Sequence, residues 1–136
     1  MWPSEYTMNS EFKDGFRRGC ITVHDWTGAP QDYASENFDE DIFTFAAWQL
    51  EMCPTTQKPH LQMYLESNKQ MRFNQWKSLL PAGVHIEAAR KVRDACIKYC
   101  SKEETRVEGP FRWGQSAKRG RPDQTDATRV ILQRVA

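Results

Sequence analysis

His60 and Gln62 stand two residues apart in a stretch, HLQMYLES, whose apolar Leu61, Met63 and Leu65 alternate with polar neighbours. Such alternation marks a half-buried strand, and on a strand residues two apart leave the same face. Glu51 closes the preceding apolar run, IFTFAAWQLE, in which Trp48 and Leu50 share one face and Gln49 and Glu51 the other. An antiparallel hairpin between the two runs would set Glu51 beside His60 and Gln62. An imidazole nitrogen, a carboxylate oxygen and an amide oxygen meeting at one point favour a hard divalent ion, Mg²⁺ or Mn²⁺, over a thiolate-seeking metal. Three protein ligands leave positions open for water and phosphate oxygens. As a bare pattern, the same residues also describe the wet face of a half-exposed sheet.

Tyr99 and Lys102 lie three apart on a helix-forming segment and share a face. A phenol is a poor nucleophile at its free pKa of ~10. A metal and a cation beside it stabilise the developing phenolate, and Lys102 is placed to help. Tyr99 fits equally well as a packing residue in the stripe Val92, Ala95, Cys96 and Tyr99. The four cysteines (Cys20, Cys53, Cys96, Cys100) contain no C-x-x-C pair and read as reduced packing thiols. A zinc site from Cys96 and Cys100 with His60 or His85 is the alternative use of them.

The elements that must carry these groups follow from periodicity and turn residues. Strands are expected over Arg18 to Thr27, Ile42 to Glu51, His60 to Ser67, Val84 to Ala89 and Thr105 to Trp113, the last interrupted by Gly109-Pro110. Gly28 to Asp41 reads as a loop with a short helix. Helices are expected over Arg72 to Leu80, where Phe73, Trp76 and Leu80 recur at helical spacing before Pro81 and Gly83, and over Lys91 to Lys102. Trp48 and Trp76 read as core. The fold class is α+β: a central antiparallel sheet of about five strands with flanking helices, one face of the sheet covered.

The length of 136 residues suits one domain over residues 18–114, with a polar lead-in over 1–17. After Gly114 the character changes. Residues 115–136 read as a linker, KRGRP, and the start of a further helix, Asp126 to Val135, of a following region. Hydrophobic residues make up 39% of the chain and charged ones 27%, which supports a folded core, and no apolar run is long enough to span a bilayer. The net charge of +1 hides an asymmetry. Asn68 to Lys102 holds eight basic residues against Glu87 and Asp94, whereas Ala29 to Phe45 holds five acidic residues and no basic one. The basic half suits a polyanion, or a solvated helical face.

Several short segments in order carry a family resemblance: Val23-His24, Glu51, PHLQ at Pro59 to Gln62, HIEAAR from His85, and YCSK from Tyr99 to Lys102. FNQWKSLL and GPFRWG sit between and after them. Together they resemble the amino-terminal HUH-type endonuclease domain of the replication initiator (Rep) proteins of circular single-stranded DNA viruses, most closely the circovirus type. PHLQ is similar to that family's second motif in the form where glutamine replaces the second histidine, and YCSK to its third. The first motif departs, reading ITVHDW, and Met63 follows PHLQ where the family commonly has glycine.

The resemblance implies an RRM/ferredoxin-like HUH fold and metal-dependent nicking and joining of single-stranded DNA at an origin stem-loop. Glu51, His60 and Gln62 would bind Mn²⁺ or Mg²⁺, although Glu66 and Glu87 lie on other candidate strands. Tyr99 would attack the phosphate to give a 5′-phosphotyrosyl intermediate that starts rolling-circle replication, and Lys102 would polarise the surrounding groups. His24, Trp26, Lys58, Tyr64 and Lys98 are candidate DNA contacts, since bases stack on rings and phosphates meet lysines. The family also implies a helicase domain in the full-length protein, oligomerisation only through that further region, and action in the host nucleus. The alternatives are a non-catalytic RRM-like nucleic-acid-binding module, or a plasmid initiator, relaxase or transposase on the same scaffold. No RNP1-like run is present, and those relatives usually carry two histidines where this chain has Gln62.

Overall fold

The structure, a computed structural model, describes residues 14–115. The lead-in falls mostly outside that range, as do the linker KRGRP and the helix expected after it. Strands β1 (Phe16–His24), β2 (Phe43–Met52), β3 (Pro59–Met71), β4 (His85–Ala88) and β5 (Arg106–Gly114) form one sheet in the order β4-β1-β3-β2-β5. Every neighbouring pair is antiparallel. A 3₁₀ turn (Pro30–Asp32) leads into the short helix α1 (Tyr33–Asn37), and α2 (Phe73–Leu79) and α3 (Arg93–Tyr99) complete the α+β architecture.

On one face, the alternation read from the sequence holds. Ile21, Val23, Trp48, Leu61, Met63 and Leu65 point into a core closed by Tyr33 of α1 and Trp76 of α2. Both tryptophans are buried, and each satisfies its indole N–H with a backbone carbonyl: Trp48 Nε1 donates to Pro30 O at 2.8 Å, and Trp76 Nε1 to Phe16 O at 3.0 Å. Trp76 also stacks on Phe16, with ring centroids 5.0 Å apart. Trp76→Phe removes both that donor and part of the ring, so it is expected to cost about 2 kcal/mol, read from urea unfolding.

The second face differs from the expectation of an open sheet. Helix α3 covers part of it, burying Cys96, Ile97 and Cys100 against Cys20, Phe45, Ala47 and Tyr64. The inward stripe of α3 is therefore rotated from the expected one. Val92 is 70% exposed at the helix N-cap and Tyr99 stands at the rim. A short helix lying on a sheet buries what its crossing direction selects, and that direction is tertiary information.

β3 runs to Met71, past the expected end at Ser67, because Met71 still pairs with Phe16 although Asn68, Lys69 and Gln70 are exposed. β5 is continuous through Gly109-Pro110, with its register to β2 shifting between Trp48 and Leu50. Gly109 (φ 115°) is required there: a Cβ at this position would lie 2.9 Å from the Cβ of Gln49.

Candidate active site

Pairing of β2 with β3 sets Glu51 opposite His60 and Gln49 opposite Gln62, while β1 adds Thr22 opposite Gln62 and His24 opposite His60. Strand alternation turns Gln49, Glu51 and Gln62 to the α3 side of the sheet. Beyond α3 that face opens into a cleft of about 600 Å³, lined among others by Glu51, His60, Gln62, Tyr99 and Lys102. Tyr99, the last residue of α3, is 37% exposed there. The side chains singled out by type and spacing thus come together from two strands, one helix end and the turn after it.

Glu51 is the centre of this arrangement. It is only 2% exposed, yet Lys102 Nζ donates to its two oxygens at 3.0 and 2.9 Å. Gln49 Nε2 donates to Glu51 Oε2 at 2.7 Å and to the backbone oxygen of Lys102 at 2.8 Å. His60 Nε2 lies 3.4 Å from Glu51 Oε1. Burial pushes the carboxyl pKa up, but hydrogen bonds from His60, Gln49 and Lys102 outweigh it and hold Glu51 at about 2. At neutral pH Glu51 is a carboxylate. The Lys102 ammonium reaches the other way too, 3.9 Å from the centroid of the Tyr99 ring. One cation therefore touches both the buried carboxylate and the exposed phenol's ring.

Glu51, His60 and Gln62 are the residues able to hold a metal. Among the described residues, no three His, Cys, Asp or Glu side chains gather at one point; the third donor beside Glu51 and His60 is an amide. Gln62 is buried, and its Nε2 is without a hydrogen-bond partner among the described residues. An ionised carboxylate, an imidazole and an amide, which would bind through its oxygen, suit a hard divalent cation. The other carboxylates considered are engaged elsewhere: Glu66 accepts from Tyr64 Oη at 2.6 Å and Arg93 Nε at 2.7 Å, and Glu87 pairs with His85. Cys96 and Cys100 belong to the core under α3.

Two of the expected DNA contacts are corrected by their placement. Tyr64 shares the face of His60 and Gln62 but is wholly buried beneath α3, so it presents no ring for a base. Trp26 packs against the core on the opposite face, edge-on to Tyr33 with centroids 4.9 Å apart. His24 and Lys58 are exposed and line the cleft, the His24 ring 6.0 Å from that of His60. Lys98 is exposed in a groove of about 430 Å³ that meets the cleft at Tyr99 and Lys102. Sequence reading missed Gln49, although its position two residues before Glu51 on a strand was the available signal. It also missed Thr22 and His85 as lining residues.

Residues 24–103, more than half of the chain, match the family described as "Putative viral replication protein", and the chain belongs to that family. It is 35% identical over 101 residues to the protein Para-Rep C1 of Milk vetch dwarf C1 alphasatellite, 74% of this chain and 33% of that relative. It is 34% identical over 87 residues to the Replication-associated protein of Human associated cyclovirus 1, 63% of this chain and 30% of that relative. The Master replication protein of Banana bunchy top virus is 36% identical over 55 residues, 40% of this chain and 19% of that protein. The matched segment thus spans about a third or less of each of these relatives. No helix among the described residues is long and apolar enough to cross a membrane.

Proposed function

We propose that this chain nicks and rejoins single-stranded DNA at a viral replication origin, through a covalent 5′-phosphotyrosyl intermediate on Tyr99. The observation that carries this reading is the shared cleft. Tyr99 opens into the same space as Glu51, His60 and Gln62, and Lys102 connects the two halves. Mn²⁺ or Mg²⁺, held by Glu51, His60 and Gln62, would supply Lewis-acid neutralisation of charge on the phosphate oxygens. Membership in a viral replication family supports the biological setting.

The remaining chemistry belongs to the chain itself. Tyr99 Oη attacks phosphorus, the new O–P bond forms, and the bond from phosphorus to the 3′-oxygen breaks. The phenol's proton passes to solvent and the departing oxygen takes one up, leaving a free 3′-hydroxyl. Lys102 lowers the cost of negative charge on the phenol, and the covalent link conserves the phosphoester for rejoining. Gln49 holds Glu51 and the backbone of Lys102 in a fixed relation. Action in the host nucleus, and a helicase domain in the full-length protein, belong to the same proposal.

Incubation with Mn²⁺ and a labelled single-stranded oligonucleotide bearing a viral origin loop is expected to give a protein–DNA adduct, and EDTA to prevent it. An adduct in EDTA, or binding in Mn²⁺ with no adduct, would overturn the reading; the second outcome leaves a binding module. His60→Ala should raise the Mn²⁺ concentration needed for half-maximal cleavage by about tenfold or more, with rescue at high Mn²⁺. Unchanged metal dependence would remove His60 from the ligand set.

A further inference from the structure

His85 and Glu87 form a pair that the proposed chemistry leaves unused. They leave the same side of β4, and His85 Nε2 bonds Glu87 Oε2. Glu87 is 2% exposed, and its Oε1 has no hydrogen-bond partner among the described residues. Burying a carboxylate is costly, and packing alone gives no return for it. Burial raises the Glu87 pKa, an effect the bond from His85 opposes. What the carboxylate does accomplish is to hold an imidazole at a set angle. The His85 side chain is 44% exposed and lines the cleft.

The register says where that imidazole sits. His85 pairs with Thr22, and Thr22 with Gln62. Two interstrand steps of ~4.8 Å put the His85 backbone about 10 Å from that of Gln62. At that separation His85 meets a different part of the strand from the one gripped beside Gln62. With Nε2 engaged by Glu87, Nδ1 is the ring nitrogen left for a ligand in the cleft, and an N–H there donates to an anion.

We infer that His85, oriented by Glu87, binds a backbone phosphate of a nucleotide flanking the one that is cut. This rests on the reading of the cleft as a single-stranded DNA site. His85 is then a binding residue and Glu87 a positioning residue acting through it.

The test scans an origin-loop oligonucleotide with one neutral methylphosphonate at a time, measuring adduct formation in Mn²⁺. His85→Ala should raise KM about tenfold with kcat little changed, the mark of lost uniform binding. His85→Lys should restore most of the loss, and Glu87→Gln should shift KM the same way. At one non-scissile position the methylphosphonate should cost the wild type that same factor and cost His85→Ala nothing further. An unchanged KM in His85→Ala, additive losses at every position, or non-additivity with an abasic site instead of a methylphosphonate would overturn the inference. Should the wild type bind without cutting, the cleavage reading falls, and the same scan read by fluorescence anisotropy still decides this one. No binding at all defeats both.

Discussion

Tyr99→Phe should abolish the covalent adduct, by at least about four orders of magnitude in rate, while oligonucleotide binding survives. The substitution removes one oxygen and nothing else. Tyr99 is 37% exposed at the end of α3, and the face of its ring against Lys102 Nζ at 3.9 Å is kept by phenylalanine. The core under α3 rests on Cys96, Ile97 and Cys100 and is untouched. Covalent attack needs a nucleophilic atom, and none of the surrounding contacts can replace it. An adduct that persisted in the variant, mapped by mass spectrometry to another residue, would move the nucleophile elsewhere.

Glu51→Gln should have the next largest effect, lowering cleavage on the order of a thousandfold at any Mn²⁺ concentration. It keeps the shape of the side chain but removes the charge shared by Lys102 and His60. It should also change how stability responds to acid. The Glu51 carboxyl is held at about 2 in the fold, against ~4.3 in an unfolded chain. A depressed carboxylate contributes stability that is fully present above the unfolded value and is lost as pH falls towards the folded one. Wild type should therefore lose roughly 2 kcal/mol between about pH 5 and pH 2 through this group, discounted because Lys102 and His60 are partly solvated. Glu51→Gln should lack that component. Urea unfolding at both ends of the window measures it, and equal acid losses in the two proteins would show that Glu51 is not held by these partners.

Much of the site was legible because it is built on strands. Period-two alternation settles which side His60, Gln62, Gln49 and Glu51 face, and hairpin pairing places Glu51 opposite His60. Helical geometry is less forthcoming. The rotation of α3 decides that Ile97 is buried and Val92 exposed, and seven residues hold too little periodicity to show it. Tyr64 illustrates the consequence: its face was correctly read, but whether α3 or solvent covers that face depends on where the helix lands. The contact between Lys102 and Glu51 spans 51 positions in the chain and leaves no local trace. Trp26, beside an exposed turn, is packed against the core by Tyr33, a partner on a segment that reads mainly as loop.

The small side chains beneath α3 have a mechanical consequence. Cys20, Ala47, Cys96 and Cys100 pack there beside the larger Phe45, Tyr64 and Ile97, so the helix rests on a filled layer whose depth these side chains fix. Interlayer thickness then sets the height of the phenol above its target, as a shim sets the gap between two plates. Displacement of a reacting atom by ~1 Å can cost about a hundredfold in rate. Residues that never approach a nucleic acid thereby hold a veto over the reaction, and a single added methylene at Ala47 would act at the far end of the lever.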